Sequence, residues 1–276
     1  GNVELWVVSD EEAVDIDHPA DWSICEYFLS RKRIVFVVSG YPEIGLGHAY
    51  NTLSVAHELV EHDLMFLVDR RSELAAEKIR ESHYTVVRES DQGIAHDVAG
   101  LDADVVINDC LDTSSEYVDA LKRHAPVVVN FEDLGEGARR ADMVINAIYP
   151  ETQVLPGHYF GPSYFCLRDE FLGLPEPSVR EQVQNVLVTF GGVDPNDLTR
   201  KTLRAISPVC TEMGMRVVVI AGLGYRHIDE LESVQGIEVV HNTPNIARYM
   251  READVCFTSA GRTTYELAAV GTPTVV

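Results

Sequence analysis

Basic residues are scarce in this chain: 22 Lys and Arg stand against 44 Asp and Glu in 276 residues, a formal charge of −22. Nucleic acids and anionic membranes are bound through Lys and Arg, so neither is expected as a partner. The acidic excess reads as a solubility device, and any bound phosphate must be held mainly by backbone N–H groups. Cysteine is sparse too. The five, at positions 25, 110, 166, 210 and 256, are odd in number and show no CxxC spacing. That excludes a zinc ribbon or a disulfide framework and points to a reducing cytoplasm, and Cys256, inside a strand-like apolar run, is expected as a buried free thiol. No apolar run reaches transmembrane length and no signal peptide is visible. The Walker lysine, the full Rossmann fingerprint and the usual Ser, Lys and Cys nucleophile signatures are all missing. NAD and ATP are therefore unsupported, and no metal or cofactor is expected.

What is present is an ordinary globular composition, long enough for one large domain or two ordinary ones. Strand-like β-branched runs occur at 34–39, 64–68, 84–87, 104–108, 126–131 and 142–146, then at 186–190, 216–221, 237–240, 254–258 and 273–276. Most are continuous rather than alternating, as in parallel strands covered on both faces. Helical patterns near 49–62, 71–82, 114–124, 197–206, 245–252 and 262–270 alternate with them. Repeated βα units predict parallel sheets with right-handed crossovers.

The array is broken at about 161–184, a proline-bearing stretch without a clear strand that reads as a linker with a short helix. Two α/β units meeting there would form a cleft. The second array stops at 274–276 in mid-strand, so the chain is expected to be truncated, and its start on Gly1 reads as a processed or engineered piece. Residues 1–30 stand outside the array, with a short strand at Glu4–Val8 and a helix starting after Pro19. Asp15, Asp17 and His18 either bind a metal or form a turn in which Asp17 caps that helix.

Four strand ends carry residues with chemistry. Gly45-Leu46-Gly47-His48 follows the run 34–39 and opens a helix. Its glycines allow close backbone approach, and the helix start offers free N–H groups to an anion. A helix N-terminus disfavours imidazolium, so His48 is expected neutral and able to act as a base, unless it merely caps the helix. Asn51, one turn on, either orients a substrate hydroxyl or is solvated. Gly191 and Gly192, followed by Val193-Asp194-Pro195, form a second strand–glycine–helix turn, with Asp194 or Asn196 as the alternative cap. Gly261, Thr263 and Thr264 form a third, where a diphosphate would find donors and Glu266 a ribose diol; the plainer reading is a capping box. Asp109, Glu132 and Asp133 end strands of the first array, where carboxylates bind sugar hydroxyls, position water or cap helices.

Taken together, Gly45-Leu46-Gly47-His48, Gly161-Pro162-Ser163-Tyr164, Leu167-Arg168-Asp169-Glu170-Phe171, Phe190-Gly191-Gly192-Val193-Asp194-Pro195 and Ala260-Gly261-Arg262-Thr263-Thr264-Tyr265-Glu266 resemble the UDP-sugar hydrolases of pseudaminic acid synthesis. Those enzymes and the related spore-coat polysaccharide proteins have the GT-B fold of the MurG-type glycosyltransferases. The resemblance covers residues 33–276. It implies an α/β chain of two Rossmann-like parallel-sheet domains facing across a cleft, with 31–165 on the sugar side, a linker at 166–184 and 185–276, incomplete, on the UDP side. It implies His48 as the general base that activates water. It also implies Gly191, Gly192, Gly261, Thr263, Thr264 and Glu266 as UDP ligands and the loop with Asn242, Asn245 and Ile246 as the uracil contact. Gly45, Gly47, Asn51 and Asp109 would then meet the sugar.

Two positions depart from the family pattern: Asn51 stands where Arg is usual, and Leu111 where an aromatic is usual. Residues 1–30, through Ile16-Asp17-His18-Pro19-Ala20-Asp21-Trp22, resemble the C-terminal end of an acidic-sugar cytidylyltransferase, which implies a fusion that makes and activates a nonulosonic acid. The expected function is thus cytoplasmic release of UDP from a UDP-linked diacetamido-trideoxy sugar. The alternatives are a GT-B glycosyltransferase using a UDP-amino sugar and a non-catalytic nucleotide-sugar-binding module.

Overall fold

The computed structural model describes residues 6–8, 12–151, 155–176 and 179–276. Glu4 and Leu5 of the expected first strand lie outside the described residues, and 6–8 form no strand. Helix α1 (Pro19–Ser30) buries no side chain. Pro19 is its first residue, but the cap differs from expectation. The Asp21 carboxylate, not Asp17, accepts the N–H groups of Asp17 and His18, because a carboxylate inside the first turn reaches back to those donors.

The first array folds as β1 (Arg33–Val38), α2 (Gly47–His57), β2 (Asp63–Val68), α3 (Glu73–Glu81), β3 (Val86–Arg88), α4 (Ile94–Ala99), β4 (Val105–Asp109), α5 (Ser115–Leu121), β5 (Val127–Phe131), β6 (Met143–Asn146) and β7 (His158–Phe160). The second is β8 (Asn185–Val188), α6 (Leu198–Glu212), β9 (Arg216–Ala221), α7 (Ile228–Glu232), β10 (Ile237–His241), α8 (Ile246–Glu252), β11 (Val255–Phe257), α9 (Arg262–Val270) and β12 (Thr274–Val275). Each expected strand run of the two arrays overlaps one of these strands. The edge strand β7 was not foreseen, nor were the short helices α4 and α7. The segment expected as a linker with a short helix carries two 3-10 turns, Pro162–Tyr164 and Asp169–Phe171.

Two all-parallel sheets result, in orders β3-β2-β1-β4-β5-β6-β7 and β10-β9-β8-β11-β12. Both faces of each are covered, which is why β1 and β9 read as unbroken apolar runs. Phe36, Val38 and Phe66 pack under α2 and α3, and Val35, Val37 and Val106 under α4 and α5. In the second sheet Leu187 and Val218 face α8 and α9, while Val186 and Val219 face α6 and α7. Chain direction across the first sheet reverses between β1 and β4, and across the second between β8 and β11. Ligands of open parallel sheets bind at such points, outside the carboxyl ends of the strands. Among the described residues, no helix is long and apolar enough to cross a membrane.

Candidate functional site

The two reversal points face one cavity of about 390 Å³, within the usual range for small-ligand sites. The loop after β1, with Gly45, Gly47 and His48, forms one wall together with Asn51, Asp109 and Glu132. Gly191 and Gly192 after β8, Asn242 and Ile246 after β10, and Gly261, Thr263 and Glu266 after β11 form the other. Two expected residues stay outside. Asn245 is exposed and caps α8, accepting from the N–H of Arg248. Thr264 turns into its own helix and donates to the carbonyl of Gly261 at 2.6 Å.

The glycines of the first loop serve the meeting of the two halves. Gly45 has φ +83°, a left-handed turn favouring glycine, and a Cβ there would stand 3.5 Å from Val193 Cγ2. A Cβ on Gly47 would stand 3.4 Å from Arg262 Cδ. Gly192 lies against Leu46, and Gly222 at the end of β9 is pressed so closely on Gly192 that a Cβ would come within 2.4 Å of its Cα. Gly191, with φ +80° and nothing within 4 Å of its Cβ position, leaves its backbone open to the cavity.

His48 is the second residue of α2, and its Nδ1 lies 2.5 Å from Asp109 Oδ1 at the end of β4. The other Asp109 oxygen accepts from Asn51 Nδ2 at 2.6 Å. Asp109, fully buried, therefore orients the imidazole and leaves Nε2 as the free ring nitrogen. The shift in its titration runs opposite to the one expected from the helix end. Burial does push its pKa down, but the charge and hydrogen bond of Asp109 outweigh it, and the net shift is upward.

The glycine turns of the second sheet differ from one another. At α6 the Asp194 carboxylate accepts the N–H groups of Leu198 and Thr199, so the capping alternative holds and that helix end is occupied. At α9 the cap is Gly261, with no side-chain cap, so the helix start is open. Glu266 does not close a capping box. It is bound by Arg168 Nε at 2.9 Å, and Arg168 also pairs with Glu170.

Two cavity residues, Arg168 and Arg262, were not singled out by the sequence as site residues. Arg168 ties α9 to α2, with its guanidinium over Tyr50 at 4.8 Å. Arg262, first in α9, donates to the carbonyl of Cys166 at 2.7 Å and lies over Phe165, but forms no ion pair with a carboxylate among the described residues. Burial pushes its pKa down, against the upward pull of the nearby Asp109, Glu266 and Glu132 carboxyl groups, so it is a largely buried cation at the cavity wall. Glu132 was noted only as a strand-end carboxylate. Arg262 had a sequence signal: a cation beside a helix-starting glycine in a chain poor in cations. Among the described residues no three His, Cys, Asp or Glu side chains gather as a metal site.

Comparison with solved structures places this architecture. The calicheamicin glycosyltransferase CalG4 superposes with a TM-score of 0.58 at 14% identity, over 90% of this chain and 80% of that one. MurG of Acinetobacter baumannii superposes with 0.54 at 14% identity, over 87% and 76%. The fold is that of the GT-B glycosyltransferases. No protein-family profile matches the chain. In sequence it is 25% identical over 260 residues to the spore coat polysaccharide biosynthesis protein SpsG of Bacillus subtilis, covering 88% of this chain and 76% of that protein. It is 28% identical over 268 residues to an uncharacterized protein of Methanocaldococcus jannaschii, covering 88% of this chain but only 55% of the relative. The chain thus spans about half the length of that relative. The GT-B fold accounts for the two facing reversal points and their single cavity.

Proposed function

We propose that this chain releases UDP from a UDP-linked amino sugar, with His48 activating the attacking water. The observation that carries the reading is the Asp109-bound imidazole standing in the same cavity as the open start of α9. Gly191, Gly192, Gly261 and Thr263 hold the nucleoside diphosphate, and Asn242 and Ile246 border the base. The free N–H groups of α9 and the charge of Arg262 stabilise the departing diphosphate. His48 Nε2 takes one proton of the water as its oxygen bonds to the anomeric carbon. The carbon–oxygen bond to UDP breaks, and the electron pair leaves with the diphosphate. Attack from the face opposite UDP inverts the anomeric centre.

The fold shared with CalG4 and MurG favours a second reading, in which an acceptor hydroxyl replaces water. SpsG, by its name a polysaccharide-synthesis protein, fits either. Exposed Trp22 and Leu29 on α1 suit the cytidylyltransferase fusion that residues 16–22 suggest, which would set the sugar in nonulosonic acid synthesis. The test is incubation of the protein with a UDP-diacetamido-trideoxy sugar and no acceptor. UDP release that falls by about 100-fold or more in His48→Ala supports hydrolysis. Release only when an acceptor is added assigns transfer instead.

A further inference from the structure

We propose that Glu132 is a specificity residue of this cavity: its free carboxyl oxygen accepts a hydrogen bond from a hydroxyl or amide N–H on the sugar of the bound nucleotide. The inference rests on the nucleotide-sugar reading above and adds the group that reads the sugar.

Glu132 directly follows β5, whose neighbour β4 carries Asp109 at its end. The residue lines the cavity and is 6% exposed. The N–H of Ala147 donates to Oε1 at 3.2 Å, which fixes the carboxyl group in place. Oε2 is buried and has no hydrogen-bond partner among the described residues. The backbone adopts φ +50°, an unfavourable conformation for glutamate.

The neighbouring carboxylates are different. Asp109 is satisfied by His48 and Asn51, and Asp133 by Thr113, Asn130 and Gly135. Glu132 is thus the strand-end carboxylate of this wall with an acceptor to spare. Buried acceptors are normally partnered, and a site built around one rejects ligands that lack the matching donor. A nucleotide sugar with its diphosphate near α9 and its anomeric carbon near His48 must run its ring along the wall that holds Glu132. Ring hydroxyls and acylamino N–H groups are the donors it would bring.

Isothermal titration calorimetry of the parent, Glu132→Ala and Glu132→Gln with UDP, UDP-glucose and UDP-N-acetylglucosamine tests this. The parent should bind at least one sugar nucleotide about 10-fold or more tighter than UDP. A preference for UDP-glucose points to a hydroxyl donor, and one for UDP-N-acetylglucosamine to the amide. Glu132→Ala should erase the preference while UDP affinity stays within about twofold, which also reports that the fold survives. Glu132→Gln, which keeps one acceptor oxygen, should retain part of it. A parent with no sugar preference, or a preference that survives in both variants, overturns the inference and leaves the nucleotide reading standing. A parent that binds no UDP overturns that reading and the inference with it.

Discussion

Asp109 holds His48 from a strand 61 residues away, with Oδ1 2.5 Å from the imidazole Nδ1. Its second oxygen holds Asn51, one turn further along the same helix, so a single buried carboxylate fixes both the ring and the helix start. Asp109→Asn removes the negative charge and can present an N–H where the imidazole needs an acceptor. Turnover should fall by about 100-fold or more, with UDP affinity changed by less than about threefold. Steady-state UDP release and calorimetry measure the two. Unchanged turnover would show that the pair is structural only.

The same contact sets a pH dependence. The net shift of His48 is upward from 6.5, because Asp109 outweighs burial. Only the neutral ring accepts a proton, so turnover should rise with pH through a midpoint above 6.5. For stability the sign is opposite: the His48–Asp109 contribution is full below 6.5 and fades as pH rises through the higher folded value. In Asp109→Asn the activity midpoint should move down. A kcat–pH profile with the same midpoint in both proteins refutes the assignment of that limb to His48.

Glu132 makes a separate stability prediction. Burial, and then the charge of Asp109, raise its pKa from 4.5 to about 7. Between those values the folded protein holds a proton that the unfolded chain has lost, so stability declines as pH rises across that window. Glu132→Gln does not titrate and should escape the decline. Relative to the parent it should gain about 1–3 kcal/mol on moving from pH 5 to pH 8. Urea unfolding at the two pH values checks it, and an equal offset at both would count against a buried, proton-holding Glu132.

Arg262 should anchor the diphosphate. It stands at the open start of α9 and forms no ion pair with a carboxylate among the described residues. Losing a charge-assisted hydrogen bond of about 1.5–3 kcal/mol predicts that Arg262→Ala weakens UDP binding by roughly 10- to 100-fold. Uridine, which has no phosphate, should bind both proteins alike in calorimetry. An equal loss for uridine and UDP would locate Arg262 at the base instead.

These relationships were unevenly legible in the sequence. The strands announced themselves because β1, β4, β8 and β9 are buried on both faces and so read as continuous apolar runs. β7 did not, since its three residues gain strand geometry only by pairing with β6. α4 and α7, of six and five residues, are too short to show a helical period. His48 stood out because two glycines precede it in a strand–turn–helix. Its bond to Asp109 could not be read along the chain, because it exists only where β1 and β4 become neighbours at the reversal point. The unpaired state of Glu132 Oε2 and of Arg262 was hidden for a related reason. The idle oxygen of Glu132 and the lack of an ion pair at Arg262 among the described residues are defined by the three-dimensional surroundings of each side chain.

Arg168 tests how the two halves are held. Its Nε binds Glu266 at 2.9 Å, its Nη1 binds Glu170 at 2.9 Å, and its guanidinium lies over Tyr50 of α2. The Glu266 side chain is 9% exposed, so deleting the arginine strands a nearly buried carboxylate. Arg168→Ala should therefore destabilise the protein by about 3–5 kcal/mol. Glu266→Gln leaves a smaller unpaired group and should cost less. Adding it to Arg168→Ala should recover part of the loss, because the stranded charge is gone. Denaturant unfolding of the two single variants and the double variant measures the coupling. Strictly additive losses would mean that Arg168 acts through its stacking on Tyr50 rather than through Glu266.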